Sequence, residues 1–184
     1  MQEIQRIAQR TFTSVGNRVA GFASGQFRLP VLEGAWCDGA YWMHEGLAEN
    51  IDSISVAKLE TALEVLLGAE SSKGSEAKML KALHTFFGLA PENPITPGSN
   101  ITTKRYAKDL VGGRSRVLHG TLSTLSSNLV QLRDQLEFMA TTLVRSTAIE
   151  IDEYLADGQV ADDIDAFLEW VRTARGKRTQ TGGP

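Results

Sequence analysis

The sequence predicts an all-α protein, a helical bundle, on three observations. Apolar residues recur every three to four positions along most of the chain, no segment keeps the alternation of a half-buried strand, and glycines and prolines separate the periodic stretches. A chain of 184 residues that is 42% hydrophobic suits one sizeable core.

From the start, Ile4, Ile7, Ala8, Phe12 and Val15 share one side of a helix over residues 1 to 15. Gly16, Gly21, Gly25 and Gly34, with Pro30, then predict an irregular but ordered wrap over 16 to 34. A helix is expected from about Ala35 to Glu49. Another follows from about Ser53 to Leu67, turning Val56, Leu59, Leu63 and Leu66 or Leu67 to the core and stopping at Gly68. These two should pack antiparallel. Ser75 precedes Lys78 by three, so no capping box marks the next helix, but Met79, Leu80, Leu83, Phe86 and Phe87 give it an apolar face ending at Gly88. Pro91, Pro94 and Pro97 make a turn-rich connection that is too short for an interdomain linker.

Thr102 or Thr103 can cap a helix through Tyr106 and Leu110. Gly112-Gly113 costs roughly 2 kcal/mol of helix propensity relative to alanine, so a kink or restart is expected there. A restart near Gly113 puts Arg114 in a first turn, where free N–H groups favour an anion, and puts Ser115 and His119 on one face before a stop at Gly120. Leu129, Leu132, Leu136, Met139 and Leu143 keep a 3-4-3-4 spacing that predicts a long helix from about 123 to 156. Two heptads suit a bundle core rather than a dedicated coiled coil. A last helix, about 160 to 174, is expected to bury Val160, Ile164, Phe167, Leu168 and Val171, and Gly176 to Pro184 reads as a disordered tail.

Composition narrows function. No stretch approaches the ~20 apolar residues of a membrane span, and the start Met1-Gln2-Glu3-Ile4-Gln5-Arg6 has no secretory h-region, so a cytoplasmic protein is expected. Met1 suits a native start as well as a fragment of a longer protein. Cys37 is the only cysteine, and His44, His84 and His119 are scattered, so neither a disulfide nor a zinc site is expected, and no cofactor. The net charge is −3, but it is uneven. Residues 101 to 120 hold Lys104, Arg105, Lys108, Arg114 and Arg116 against Asp109 alone. Residues 149 to 170 hold eight acids and no Lys or Arg, which reads as a solvated helix face.

The basic stretch contains Arg114-Ser115-Arg116-Val117-Leu118-His119-Gly120. An arginine and a histidine five apart can handle an RNA phosphodiester without a metal. The arginine fork suits non-bridging phosphate oxygens, and the histidine exchanges a proton near neutrality. The bare spacing is weak, since 12 arginines tested at three spacings against three histidines give on the order of 0.6 chance matches. Context carries the weight. Lys104, Arg105, Lys108 and Arg116 are candidates for RNA backbone contacts, and Tyr106 for base stacking, with ordinary packing as its competing role. His119 competes with a satisfied buried histidine. His84 and His44 read as structural or surface residues, and Trp36, Trp42 and Trp170 as core or interface packing.

An all-helical domain with Leu59-Glu60-Thr61-Ala62-Leu63-Glu64-Val65-Leu66-Leu67 early, Arg114-Ser115-x-x-x-His119-Gly120 late and Leu143-Val144-Arg145-Ser146 in a following helix resembles the HEPN superfamily, and within it the ApeA-like branch. The resemblance covers roughly residues 36 to 156 and departs from the family pattern at Gly112-Gly113. It implies a HEPN-like bundle of four to five core helices over 35 to 156. Residues 1 to 34 would be an N-terminal extension, 157 to 175 an extra C-terminal helix packed on the bundle, and 176 to 184 the tail. It also implies a homodimer in which two Arg/His motifs face each other, acting as a metal-independent endoribonuclease in phage defence or as a toxin, with an antitoxin or sensor as a further partner. Arg114 and His119 match the catalytic pair and Ser115 the polar residue beside it. The alternative is a noncatalytic HEPN-like module that dimerises or binds RNA, nucleotide or a partner protein.

Overall fold

The computed structural model describes residues 2–69, 72–124 and 126–181, with side chains for 4–69, 74–124 and 126–177. Among these are eight helices and no strand: α1 (Gln2–Ser24), α2 (Pro30–Leu47), α3 (Asp52–Leu66), α4 (Ser72–Phe87), α5 (Thr103–Leu110), α6 (Gly113–Leu118), α7 (Ser127–Ala156) and α8 (Ile164–Thr181). A single isolated bridge, Pro94 to Thr102, closes the proline-rich connection. Among the described residues, no helix is long and apolar enough to cross a membrane.

α3 is the centre of the bundle, with α2 on one side, α7 on another and α6 against its middle. Its apolar stripe of Val56, Leu59, Leu63 and Leu66 is buried, as the spacing predicts. The 3-4-3-4 residues of α7 are buried opposite it, and the same helix goes on to bury Val144, Ala148, Ile151 and Tyr154. The heptad pattern therefore belongs to the core. α2 meets α3 so closely that a Cβ on Gly46 would stand 2.7 Å from Leu59 Cγ and 3.2 Å from the Leu59 backbone nitrogen. At the same place the Ser55 hydroxyl donates to the Gly46 carbonyl at 2.8 Å. Trp36 is buried and its indole N–H reaches the Val144 carbonyl at 2.8 Å, tying α2 to α7. Trp42 and Trp170 are half-buried at the rim.

Three elements differ from the sequence expectation. The wrap over 16 to 34 shrinks to residues 25 to 29, because α1 runs through Gly16 and Gly21 and α2 begins at Pro30. Tertiary contacts outweigh the ~1 kcal/mol cost of each helical glycine. Arg18 Nη2 donates to Asp152 at 2.6 Å and Asn17 donates to the same carboxylate at 2.9 Å, while Arg18 Nη1 lies 3.0 Å from Glu33. Pro30 suits a first helical turn, and the Glu33 carboxylate reaches back to the N–H groups of Arg28 and Leu29. The long helix starts at Ser127 rather than 123, where the Ser126 hydroxyl accepts from the Asn128 N–H.

The last helix starts at Ile164 and continues to Thr181, so Val160 is 86% exposed in the preceding loop instead of buried, and residues 176 to 181 are helical rather than a tail. Residues 182 to 184 of the expected tail lie outside the described residues. The loop has its own work. Asp162 accepts from the N–H groups of Val31 and Leu32 at 2.8 and 2.9 Å, which caps α2, and Asp163 accepts from Ala166 N–H, which caps α8.

Crowding and open space predict opposite outcomes for two glycines of one helix. Gly46→Ala forces its methyl into Leu59 and should lower stability by about 1–3 kcal/mol. Gly34→Ala, with nothing within 4 Å of the added Cβ, should raise it by about 0.4–1 kcal/mol. Urea unfolding of both variants reads the two signs. A neutral Gly46→Ala would refute the close packing of α2 on α3.

Candidate functional site

The site grows from the break between α5 and α6. Thr102 caps α5 by accepting from the Arg105 N–H, and the helix ends at Leu110. A Cβ on Gly113 would meet Leu132 Cδ2 at 2.7 Å, Val56 Cγ1 at 3.0 Å and Glu60 Oε2 at 3.3 Å. The restart therefore presses backbone directly onto α3 and α7, which is the physical reason a glycine stands at this point. With Gly113 seated, Glu60 Oε2 accepts the Arg114 N–H at 2.6 Å. The anion expected at the start of α6 is thus supplied by the protein's own α3.

Arg114 turns back to the same helix. Its Nη1 lies 3.0 Å from Glu64 Oε2 and 3.3 Å from Thr61 Oγ1, and its side chain is still 35% exposed. Glu64 also accepts from the Ser75 hydroxyl at 2.7 Å, so α4, α3 and α6 are joined through one carboxylate. Glu60 is 2% exposed. Burial raises its carboxyl above the ordinary 4.5, and Glu64 adds to the rise, while the Arg114 N–H bond and the charges of Arg114 and Arg116 oppose it.

His119 sits at the other end of α6, as its C-terminal cap, and is exposed. Gly120 follows with φ +67°, a left-handed conformation that ends the helix, and the N–H groups of Thr121 and Leu122 then turn back onto the Arg116 carbonyl. The buried-histidine alternative is removed. Ser115 is exposed one turn before His119 on the same face; its carbonyl accepts the His119 backbone N–H at 3.0 Å, and no hydrogen bond joins the two side chains among the described residues. Arg114 faces inward and His119 outward, separated by about 7.5 Å of helical rise, so one chain does not bring them onto one small group.

The remaining predicted residues divide. Lys104 and Lys108 are exposed one turn apart on α5, and Arg105 is exposed but paired with Asp109 at 2.8 Å. Arg116 is committed to structure: its guanidinium donates to the Gly112 carbonyl at 3.1 Å and to the Asp109 carbonyl at 2.6 Å, capping the C-terminal end of α5. A backbone contact to RNA would cost that cap. Tyr106 packs against the hydrophobic core, and burial raises its hydroxyl pKa, so the packing role holds for it rather than stacking. His84 and His44 are exposed.

Sequence reasoning missed Glu60, Thr61 and Glu64 as parts of the site. The signal was present: two acids four apart inside an apolar helix must find buried partners, because an unpaired buried charge costs several kcal/mol. The acidic run is solvated in part, with Asp157, Asp163, Asp165 and Glu169 exposed, but all eight acids also have intramolecular partners. Glu150 pairs with Arg175, Asp152 with Arg18, Glu153 with Arg10, Asp165 with Lys78 and Lys81, and Glu169 with Arg172. Asp157 takes the Trp170 indole N–H, and Asp162 and Asp163 cap helices.

Two clefts, of about 710 and 650 Å³, lie elsewhere, lined by residues such as Arg10, His84 and Arg175 or Glu153, Trp170 and Lys177. Neither includes Arg114 or His119. Among the described residues, no group of three or more His, Cys, Asp or Glu is placed to hold a metal ion.

The Glu60 environment predicts a pH dependence. Because the folded pKa is the higher, the folded protein keeps the proton after the unfolded chain has released it above about 4.5. The Glu60 contribution to stability is therefore full below that value and is lost as pH rises through the folded pKa. Glu60→Gln keeps an acceptor for the Arg114 N–H and does not titrate. In urea unfolding the variant should gain on wild type across this window, whereas parallel pH profiles would mean that Glu60 is not desolvated.

No family model, curated protein or solved structure matches this chain.

Proposed function

We propose that this chain is a metal-independent endoribonuclease of the HEPN type, working as a dimer in which two Arg114/His119 sets share one RNA phosphodiester. The observation that carries the reading is the split of labour across α6. Arg114 is held by Glu64 and Thr61 with part of its guanidinium open, and Gly120 frees His119 to stand exposed at the far end. Ser115 and the open face of α5 with Lys104 and Lys108 lie beside it in sequence.

In this reading the ribose 2′-OH attacks the adjacent phosphorus, the bond to the 5′-oxygen breaks, and the products carry a 2′,3′-cyclic phosphate and a 5′-hydroxyl. One His119 takes the 2′-OH proton and the second copy's His119 gives a proton to the leaving 5′-oxygen. The arginines hold the non-bridging oxygens, where charge accumulates. One chain supplies a single proton-transfer group, which is why a second copy belongs to the mechanism. Phage-defence or toxin effector work, in a cytoplasmic setting, is the biological role such an activity would serve.

One observation favours a second reading, a noncatalytic HEPN-like binding module. The Arg114 charge is already met by Glu64, and an incoming phosphate would have to compete with that ion pair.

The His119 side chain is exposed and makes no hydrogen bond to a described residue, so its substitution reads on chemistry and not on folding. Incubated in EDTA with a mixed single-stranded and structured RNA pool, wild type should cut RNA and leave DNA intact. His119→Ala should lower the rate by about 10²- to 10⁴-fold with RNA binding kept, and Arg114→Ala should also abolish cutting. RNA binding without cutting by the folded wild type would move the assignment to the binding module. Cleavage that survives both substitutions would remove the site.

A further inference from the structure

α1 is inverted relative to an ordinary surface helix. Its polar residues Ser14 and Arg18 are buried against the bundle, while Ile4 is 73%, Phe12 75%, Val19 55% and Phe22 65% exposed. At 100° per residue these four, with Ala8 and Val15, fall in an arc about 80° wide. Ala8, Phe12, Val15, Val19 and Phe22 follow one another at intervals of 4, 3, 4 and 3, the repeat of a seam that packs against another helix. The packing partners of α1 in this chain are α7 and α2, which meet it on the side of Ser14 and Arg18, and Val15 stands at the border, half-buried against the core.

From this we infer that α1 is a self-association surface, pairing antiparallel with α1 of a second copy of this chain. Three properties favour this occupant. The stripe is self-complementary when reversed about the point between Thr13 and Ser14. Phe12 then meets the second copy's Val15, Ala8 meets its Val19 and Gln5 meets its Phe22, a large residue beside a smaller one at each level. The arc has no charge. Arg6, Arg10 and Arg18 fall outside it, and the latter two are engaged with Glu153 and with Asp152 and Glu33, so the basic flank that an anionic lipid surface needs is missing. On the solvent side the stripe is bordered by Gln5, Gln9, Gly16, Ala20 and Ala23, which allow close approach and present no repulsion.

The area suffices as well. With ~200 Å² for each large side chain, weighted by exposure, the four exposed residues offer on the order of 500 Å² per copy, about 1,000 Å² in total before the flanks are counted. That reaches the roughly 1,000 Å² that a specific interface has to clear, below the ~1,200–2,000 Å² of most stable ones, which fits a reversible pairing.

The inference does not rest on the ribonuclease reading. α1 meets α7 at residues 152 and 153, and Gly113 meets α7 at Leu132, about 30 Å away along that helix. Sedimentation of the full chain tests it, with Phe12→Glu and Val19→Glu in the stripe and Val160→Glu, also exposed and apolar but outside α1, as a control. Wild type and Val160→Glu should associate. Each stripe variant should weaken association by roughly 100-fold or more while circular dichroism keeps the helix content of wild type. Monomeric wild type at the highest soluble concentration would overturn the inference, and so would an assembly size and affinity that both stripe substitutions leave unchanged from wild type. Stripe variants that associate as wild type does overturn this inference alone, whereas a monomeric wild type counts against the dimeric ribonuclease as well, and RNA cleavage by wild type and His119→Ala reads that second question separately.

Discussion

The buried carboxylate of Glu60 is the constraint on which the rest of the site depends. A carboxylate at 2% exposure is costly unless a donor meets it, and the donor here is the Arg114 backbone N–H. That bond requires a helix to begin at residue 113, on top of α3. Only glycine fits there, because Val56, Leu132 and Glu60 itself occupy the space of a Cβ. Once α6 starts at this point its register is fixed. Arg114 falls in reach of Glu64 and Thr61, Arg116 folds back over the end of α5, and His119 arrives at the last position before Gly120 ends the helix. The motif is rigid at its arginine end and open at its histidine end because one acid of α3 sets where the short helix begins.

The same device recurs. Asp162 caps α2 from the loop between α7 and α8, Asp163 caps α8, and Glu33 satisfies the N–H groups that precede α2. Negative charge near a helix start is favourable through the free N–H groups and the helix dipole. The chain thus uses its acids internally, joining α1, α2, α4 and α8 to one another and to α7. Lys104 and Lys108 on α5 remain exposed cations beside the motif.

The sequence made the helices legible wherever periodicity and a stop residue agreed. α3, α4 and the core face of α7 follow their apolar spacing, and the break at Gly112-Gly113 is where propensity put it. Two kinds of error remained, each with a physical cause. Propensity alone ended α1 at its first glycine, although Arg18 and Asn17 bind Asp152, more than 130 residues away, and such a contact has no local signature. Periodicity finds an apolar face but not which way it points, so the stripe of α1 read as an ordinary amphipathic helix. In the site, Arg114 and His119 were visible as a motif. The carboxylates that position Arg114 were visible only as part of an apolar helix, because pairing between α3 and α6 spans more than 50 residues. Arg116 was read as a free cation for a different reason: its partners are local, but the Asp109 and Gly112 carbonyls are open to it only because the helix breaks between α5 and α6.

The positions of α6 and α1 relative to α7 bear on assembly. The composite RNA site proposed above would need a two-fold contact at the α6 end, and the α1 stripe supplies material for another about 30 Å away along α7. Two different isologous contacts on one chain cannot be satisfied by a single dimer. If their axes are mutually perpendicular and intersect, they close into a tetramer with dihedral symmetry; otherwise they generate an open chain of dimers. In either case pairing through α1 would not by itself create the composite site, but it would raise the local concentration of α6 faces around one another. Weak pairing at a small, polar site can then be sustained by a larger apolar contact elsewhere, by the same arithmetic that makes linked modules bind more tightly than separate ones.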